Sequence, residues 1–495
     1  MPSRRRNTTI LRKQEQAPRK GHTSRIDSAE PRSSPFDGVS LLADPIHGYI
    51  SLTVPFAQPS TGEQTEKDLI DSPWVQRLRY ILQLQSAHWV YPGAEHTRFQ
   101  HSLGTMHLAG RFMSRLYASL YETVPDVPSR HFLEEFVRIT ALLHDIGHGP
   151  FCHFFDHHFL HKYHLTHELL GQHIIRDYLA PIISKISRSP SGPFAPGEYL
   201  DPEHMAFLIL KDPNKSTKGM PPWVVALQPL FGGIYTPDNC DYVLRDSYMC
   251  GVAIGPVDIE RLLHYTFFSS HGLTIHQAGL PALQMFLHAR LYLYSNVYFH
   301  RTTRAIDIHL QEIFQPTMEL LYPDNPLHSL SRYLHLTDWH VIQTVRTWEK
   351  ARSSRKRLLG TEWAKILGRH VKWKAAYSIL LPIPHTASAF QSQHFMTRMR
   401  QRLPRRFRDQ DFRVDLAHKD PRPINLMNMG GFQIFVWNPT KGLIEKDSLQ
   451  KYLYHLPARM ITLRVFSQDH TLDAMLAKAA EETLRAHWPD LMNPS

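Results

Sequence analysis

Apolar residues recur at helical spacing through most of the first two thirds of the chain. Phe99, Leu103, Met106 and Gly110 follow one another at intervals of three and four, as do Phe132, Phe136, Ile139 and Leu143. That period places each set on one face of a helix. The second run breaks at Gly147, Gly149 and Pro150, residues that end helices. A Pro-, Ser- and Gly-rich break covers about 188–198, Pro237 opens a helix at Asp238, and a further helical pattern runs over about 281–320. Proline suits that first position because its missing N–H would have no partner there. Ile50, Leu52 and Val54 alternate as in a short strand after the turn Asp44-Pro45-Ile46-His47-Gly48. Beyond about 320 the pattern changes, with strands expected at 432–437 and 460–466 and a helix at 470–487. The expected fold is mostly α: a helical core over 39–320 and a smaller α+β C-terminal lobe over 321–495. Residues 1–38, rich in Arg, Lys, Ser and Pro, read as a disordered basic arm.

Composition adds compartment and charge. The chain has 495 residues, 42% hydrophobic and 11% aromatic, ordinary for a globular protein. Its 3 cysteines cannot make a disulfide framework, which points to a reducing compartment. No apolar run approaches the ~20 residues of a membrane span, and the N-terminus lacks the apolar segment of a secretory signal. A cytoplasmic protein that avoids membranes is the simplest expectation. The formal net charge of +11 favours polyanionic partners. The arginines at 398, 400, 402, 405, 406 and 408 have a solvated face as their ordinary reading and a nucleic-acid surface as their sharper one. The basic arm offers nucleic acid a second segment. The 33 histidines invite a search for a metal or proton-transfer site.

One stretch answers that search. His144-Asp145-Ile146-Gly147-His148-Gly149-Pro150-Phe151-Cys152-His153 ends a long apolar-striped helix with an adjacent imidazole and carboxylate. Such a pair can reach a single metal ion and suits several divalent metals. His101, on the helix bearing Leu103 and Met106, and Asp238, at the start of a third helix, are plausible further ligands. Arg98 lies one turn from His101, placed to meet an anion. Asp241, Tyr242, Arg245 and Asp246 follow Asp238 at positions where several can line one cleft.

In these residues the chain resembles the HD-superfamily phosphohydrolases, and within them the deoxynucleoside triphosphate triphosphohydrolases (dGTPase-like enzymes). The resemblance is carried by Asp44-Pro45-Ile46-His47-Gly48, Gln76-Arg77-Leu78-Arg79-Tyr80 and Tyr91-Pro92-Gly93-Ala94 leading to Arg98 and His101. The His144–His153 run, Thr166-His167-Glu168 and Asp238 through Asp246 continue it in the same order. It covers roughly residues 41–310. It implies an all-helical HD-domain core and one divalent ion (Fe, Mn, Zn, Co or Mg) held by His101, His144, Asp145 and Asp238. It also implies catalytic roles for His148, His153 and His167, with Asp156 supporting His153. Nucleotide contacts are implied for Gln83, Arg98, Tyr242, Asp246, Arg290 and Tyr298, and a homo-oligomer for the assembly. The chain departs from the pattern at Asn239, where those enzymes usually carry lysine, and at Phe299, where a glutamine often assists sugar recognition.

Three functions compete on this reading. The first is hydrolysis of a deoxynucleoside triphosphate to deoxynucleoside and triphosphate, with His153 as general acid. The second is hydrolysis of another nucleotide ester, such as a nucleoside monophosphate or a signalling nucleotide, favoured by Asn239 and Phe299. The third is a nucleic-acid-binding regulatory protein that keeps the metal for structure. His148 and His153 argue against the third, because a structural metal would not need them.

Overall fold

The computed structural model describes residues 36–58, 62–382, 391–419, 430–445, 449, 453 and 460–489. The basic arm expected over 1–38 lies outside these except at 36–38. Elements used below are numbered in chain order. Strands β1 (Val39–Asp44) and β2 (Gly48–Thr53) form an antiparallel hairpin, one strand more than the alternation of Ile50, Leu52 and Val54 predicts. The partner strand escapes that reading because Leu41, Leu42 and Ala43 do not alternate with polar residues.

Three helices follow whose ends carry the site. Helix α1 (Arg98–Thr123) starts where the Gln100 side chain accepts from the Thr97 N–H at 2.9 Å, satisfying a donor that helix starts leave bare. Helix α2 (Arg130–Leu143) stops at His144, and Leu133, Phe136, Val137 and Leu143 are fully buried against α1. After α3 (His153–His158) and α4 (His167–Ile174), helix α5 (Pro237–Cys250) opens as expected with Pro237 in its first turn. Thr236 caps it, accepting from the Asn239 N–H at 3.0 Å. Glycine ends it, Gly251 taking φ 68°.

The helical run expected over 281–320 is two helices, α6 (Leu280–Leu293) and α7 (Arg301–Leu321), parted around Phe299 and His300. The main core does not end at 320. It continues through Tyr333, Val341, Trp348 and Trp363 to Ile366 on α8 (Ser354–Leu367). The division drawn at 320/321 therefore falls inside one continuous core, because the helices after 321 keep a buried apolar face.

The smaller lobe has its own core of Leu381, Phe395, Met399, Phe412, Leu463 and Leu484. Its antiparallel sheet has β9 (Met460–Ser467) between β5 (Lys374–Pro382) and β6 (Phe412–Lys419), and α9 (Ser392–Arg402) and α10 (Asp473–His487) pack on it. The expected strand at 432–437 is β7 (Phe435–Asn438). It joins the main body instead, pairing in parallel with the strand Gly272–His276. No described helix is long and apolar enough to cross a membrane.

The turn after α2 is strained. Phe151 and Cys152 have φ of 60° and 55°, a region non-glycine residues avoid. Asp338 holds the turn by accepting the N–H of Leu82 at 2.7 Å and of Phe151 at 2.5 Å. Burial pushes the Asp338 carboxyl up to about 6 despite those two backbone bonds. An unfolded aspartate titrates at about 3.9, so the folded state holds this proton more tightly. That stabilisation is complete below about pH 4 and lost as pH rises through 6. Urea denaturation should show the stability gap between wild type and Asp338→Asn shrinking by about 2 kcal/mol from pH 4.5 to 7.

Candidate metal centre and cleft

The starts of α1 and α5 and the end of α2 meet at one point. His101 Nε2 lies 3.2 Å from Asp238 Oδ1, and His144 Nε2 lies 3.6 Å from the same oxygen. Asp145 completes the group, with Oδ1 3.3 Å from His144 Nε2 and Oδ2 3.8 Å from His101 Nε2. The four residues named as ligands from the sequence are thus brought together. His144 Nδ1 faces the Ala141 carbonyl at 2.7 Å and donates to it in that tautomer, which leaves Nε2 as a lone pair. That Nε2 is buried without a hydrogen-bond partner.

The electrostatics suit a cation. Burial opposes ionisation of Asp145, yet Arg98, His144 and His148 hold its carboxyl well below the usual range. Asp238 is likewise depressed against its burial, by Lys211, His144 and His101. Burial also opposes charge on His101, but Asp238 and Asp241 raise it to about 10. A carboxylate field that would hold a proton on a buried imidazole is one that a divalent ion can satisfy. Two imidazole nitrogens with carboxylate oxygens suit Fe, Mn, Zn or Co.

Behind this group stands a clamp to which the sequence reading gave no role. Asp241 Oδ2 lies 2.8 Å from His101 Nδ1, and its Oδ1 lies 2.6 Å from His47 Nε2. Arg245 bonds both oxygens of Asp241 at 2.9 Å and reaches Asp44 Oδ2 at 2.9 Å. The hairpin turn is therefore tied through Asp241 to the His101 ring. Gly104 makes room, since a Cβ there would sit 1.9 Å from Asp241 Oδ1. Asp241 and Arg245 face this clamp, whereas Tyr242 and Asp246 of the same helix face the cleft. The signal was there in His47 of the turn motif and in the i, i+4 spacing of Asp241 and Arg245.

The remaining histidines form a second group beside the first. His148 and His167 stack with ring centroids 3.7 Å apart, and Asp156 Oδ2 lies 2.6 Å from His167 Nδ1. The same oxygen is 3.4 Å from His153 Nδ1, so Asp156 serves His167 more closely than His153. Gly147 lets the two turns touch, because a Cβ there would lie 2.0 Å from the His167 carbonyl oxygen. Burial opposes charge on His167, but Asp156 raises it above its ordinary value. Burial, with Arg98 and His167, pushes His148 well below its own. His148 and His167 are buried, whereas the His153 side chain is 63% exposed and lines the cleft. His148, His153, Asp156 and His167 also offer ligand atoms within 4.8 Å of one another, as do His101, His144 and Asp238.

The cleft measures about 1170 Å³ and runs from Arg98, His101, Asp145 and Asp238 to Asp415 and Leu416 on β6. Gln83, Tyr242, Asp246, Arg290 and Tyr298, the expected nucleotide contacts, all line it. Arg290 Nε donates to the Tyr242 hydroxyl at 2.6 Å, and Tyr298 donates to Asp246, which also faces His96 at 2.8 Å. Arg98 is engaged within the site, pairing with Asp145 and donating from Nε to Cys152 Sγ at 2.9 Å. Arg304 is bound to Asp415 and Asp307.

Lys211, which the sequence reading passed over, also lines the cleft, with Nζ 3.1 Å from Asp238 Oδ2. It follows α-helical residues 202–209 and sits outside every motif, so only the fold brings it to Asp238. Asn239 and Phe299 line the same cleft, so the two departures from the family pattern face whatever binds there.

Residues 98–203 match the family described as HD domain, and residues 257–361 match the HD associated region. The uncharacterized protein YwfO of Bacillus subtilis is 29% identical over 324 residues, 62% of this chain and 66% of that protein. The deoxynucleoside triphosphate triphosphohydrolase SAMHD1 homolog of Dictyostelium discoideum is 25% identical over 311 residues, 60% of this chain and 53% of its own. The chain spans about half to two thirds of the length of such curated relatives. Among solved structures, a hypothetical protein from Aquifex aeolicus is similar with a TM-score of 0.63 and 25% identity, over 90% of this chain and all of that one.

If His101 binds metal, the carboxylate behind it sets its orientation and basicity. Asp241→Asn should weaken Mn²⁺ affinity about 10- to 100-fold in calorimetric titration, and Asp238→Ala should abolish it. Unchanged affinity in Asp241→Asn would remove His101 from the ligand set.

Proposed function

The chain carries an HD domain of the phosphohydrolase superfamily and resembles the deoxynucleoside triphosphate triphosphohydrolases, and from that premise we propose that it cleaves deoxynucleoside triphosphates to deoxynucleoside and triphosphate. The observation that carries this reading is the joint opening of His101, Asp145 and Asp238 of the cluster, together with His153, onto one cleft of nucleotide size or more. His101, His144, Asp145 and Asp238 would hold a divalent ion, which when bound supplies Lewis acidity toward phosphoryl oxygens and makes water a better nucleophile.

The chain's own residues supply the rest. Water attacks the α-phosphorus and releases a proton to solvent, the bond to the 5′-oxygen breaks, and His153 gives that oxygen the proton that completes the nucleoside hydroxyl before solvent reprotonates the ring. Asp156 lies 3.4 Å from His153 Nδ1; that nitrogen keeps its proton facing the carboxylate, and the imidazolium form of the ring gives up its second proton from Nε2. His167, whose charged form Asp156 favours, and His148 beside it offer N–H groups behind the phosphates. Arg98 pairs with Asp145 in the resting site and offsets charge as it builds on the phosphoryl oxygens. Tyr242 and Tyr298 wall the sugar side, and Arg290 fixes Tyr242 through its hydroxyl. Lys211 supplies the cation that Asn239 cannot, turning from Asp238 toward a phosphate. By the same resemblance the active form is a homo-oligomer, and the three cysteines favour the cytoplasm.

A second reading, hydrolysis of another nucleotide ester such as a monophosphate, is favoured by the neutral Asn239 and the apolar Phe299 in the cleft lining. Product analysis by ion-exchange chromatography separates the two. Each deoxynucleoside triphosphate and a set of nucleoside monophosphates would be incubated with protein in Mn²⁺, Mg²⁺, Co²⁺ or Fe²⁺. Intact triphosphate, absent with Asp145→Ala, is the expected product. Inorganic phosphate from a monophosphate would establish the second reading, and no turnover with any metal would end both.

Three variants test the roles. His153→Ala should lower kcat by about 10²- to 10⁴-fold, the usual worth of general acid help. Lys211→Ala should raise KM about tenfold, the loss of one charge-assisted contact of ~1.5 kcal/mol, and Lys211→Arg should restore most of it.

A further inference from the structure

Gln83 Oε1 and Thr303 Oγ1 belong to residues that line the cleft, and both atoms are buried without a hydrogen-bond partner among the described residues. A buried polar atom left unmatched is costly, and one in the wall of a cleft calls for a ligand. Gln83 already stands among the expected nucleotide contacts, whereas Thr303 has no role so far. It sits in the first turn of α7 and is 2% exposed. The buried threonines Thr105 and Thr140 give their hydroxyls to the carbonyl one turn back, at 2.9 and 2.7 Å. That bond is the ordinary outlet for a threonine within a helix. Thr303 does not make it, although the Phe299 carbonyl stands four residues before it.

The chain just ahead of α7 turns an aromatic wall to the same cleft. Residues Tyr294–Tyr298 form a wide helical turn, in which the Phe299 N–H reaches back five residues to the Tyr294 carbonyl at 2.9 Å. Turns of this kind recur at functional sites. Here Tyr294, Tyr298 and Phe299 all line the cleft. Tyr294 stands edge-on to Tyr298 with ring centroids 4.8 Å apart, and tilted against Phe299 at 5.7 Å. The Tyr242 hydroxyl, which takes the Arg290 Nε–H at 2.6 Å, also hydrogen-bonds Tyr294. Tyr294 is therefore a brace, and half-buried Phe299 is the apolar surface it supports.

Position along the cleft says which part of a nucleotide meets that surface. Asp246, which takes the Tyr298 hydroxyl, follows Asp238 by eight residues on α5, about 12 Å along the helix axis. A sugar fills that interval when its phosphate lies at Asp238, and the base then lies beyond it, beside Phe299.

We propose that Phe299 and Thr303 form the base subsite of the cleft and make this chain prefer purine nucleotides. The base lies against the Phe299 ring and turns an edge to Thr303 Oγ1. Stacking on an aromatic ring accepts any base, so the larger face of a purine, and not its edge pattern, decides. A hydroxyl both donates and accepts, so Thr303 serves adenine and guanine alike. Phe299 stands where the enzymes this chain resembles often carry glutamine, so the preference follows from the chain's own departure. The subsite presupposes a nucleotide in the cleft, as proposed above, but not which phosphate bond is cut.

The test compares dATP, dGTP, dCTP and dTTP on the full chain, as wild type, Phe299→Leu and Thr303→Val. Wild type should show a KM for both purine nucleotides at least about fivefold below that for both pyrimidines. Phe299→Leu should raise the purine KM about tenfold, the scale of one base–aromatic stack, and the pyrimidine KM less than about threefold. Thr303→Val keeps the shape and loses the hydroxyl, and should raise the purine KM about three- to tenfold. Both losses fall on KM, since the base lies away from the reacting atoms. Equal KM for the four nucleotides in wild type would overturn the proposal, as would an equal rise for all four in Phe299→Leu. The wild-type order and Thr303→Val carry the test if Phe299→Leu does not fold. Calorimetric titration of the same nucleotides into Asp145→Ala reads the base without turnover, and the same purine order is expected there. Purine-ordered binding with no triphosphate turnover in wild type would end the triphosphohydrolase reading and uphold the base subsite. Turnover without any base order would uphold that reading and overturn the subsite, and no nucleotide binding at all would overturn both.

Discussion

Three carboxylates, buried Asp145 and Asp241 and half-buried Asp238, meet around one imidazole, and this concentration of negative charge is the constraint to which the rest of the molecule answers. A carboxylate taken out of water is costly unless paired, and removing one partner of such a pair costs about 3–5 kcal/mol. Each therefore has an assigned cation. Arg98 meets Asp145, Lys211 meets Asp238, and Arg245 meets Asp241 with both oxygens. These cations come from the start of α1, from the segment after residue 209 and from α5 itself. The fold must hold all three segments at one point, and the bundle of α1, α2 and α5 is the arrangement that does so. The N–H groups at the start of α5 favour the charge of Asp238 as well.

The pattern of apolar residues made the helices of this bundle legible, and motif spacing made the four clustered residues, His101, His144, Asp145 and Asp238, legible. His144 and Asp145 are adjacent in sequence, and Pro237 marks the start of a helix whatever the fold. What stayed hidden depends on contacts between distant segments. Asp241 turns toward the hairpin because His47, 194 positions earlier, is there to meet it. Lys211 belongs to no motif and has no periodic neighbours. The core beyond 320 escaped because Tyr333, Trp348 and Trp363 are spread over short helices whose apolar faces make sense only against α7 and the turn at Phe151. The strand Phe435–Asn438 was legible as a strand, but its partner was not, because parallel pairing across a long connection leaves no local mark.

Strain sits where the chemistry is concentrated. Phe151 and Cys152 occupy backbone conformations that cost of order 1–3 kcal/mol each, and the turn persists because its surroundings fix it from several sides. Asp338 takes the Phe151 N–H, and Cys152 Sγ lies 2.9 Å from both Arg98 Nε and the Leu82 carbonyl. Burial pushes the Cys152 thiol up to about 12, so it stays protonated and can donate to that carbonyl. Arg77 closes the frame, donating to the carbonyls of His148 and Leu336 at 2.6 and 2.9 Å beneath the Tyr333 ring. The turn presents His148 and His153 at a fixed distance from the ligands, which a relaxed loop would not do.

The source of positive charge then becomes a statement about specificity. A lysine directly after the ligand aspartate would ride on the same helix turn and move with the metal. Lys211 reaches Asp238 from a separate segment, between residues 209 and 222, on a flexible stem that can swing between the carboxylate and an incoming phosphate. Asn239 caps nothing with its side chain and leaves that part of the wall neutral. An anion held by Lys211 therefore approaches from the Lys211 side of the cleft, and the tyrosines on α5 and after α6 are left to face the rest of the substrate. If the cleft accepts a triphosphate, its chain runs along the side where Arg98 and Lys211 flank Asp145 and Asp238, because a divalent ion on those carboxylates would free both cations for phosphate, whereas Arg304 at the far end keeps its two acids. Only a cation whose carboxylate a divalent ion can take over is released to a ligand, and that difference sets the polarity of the cleft.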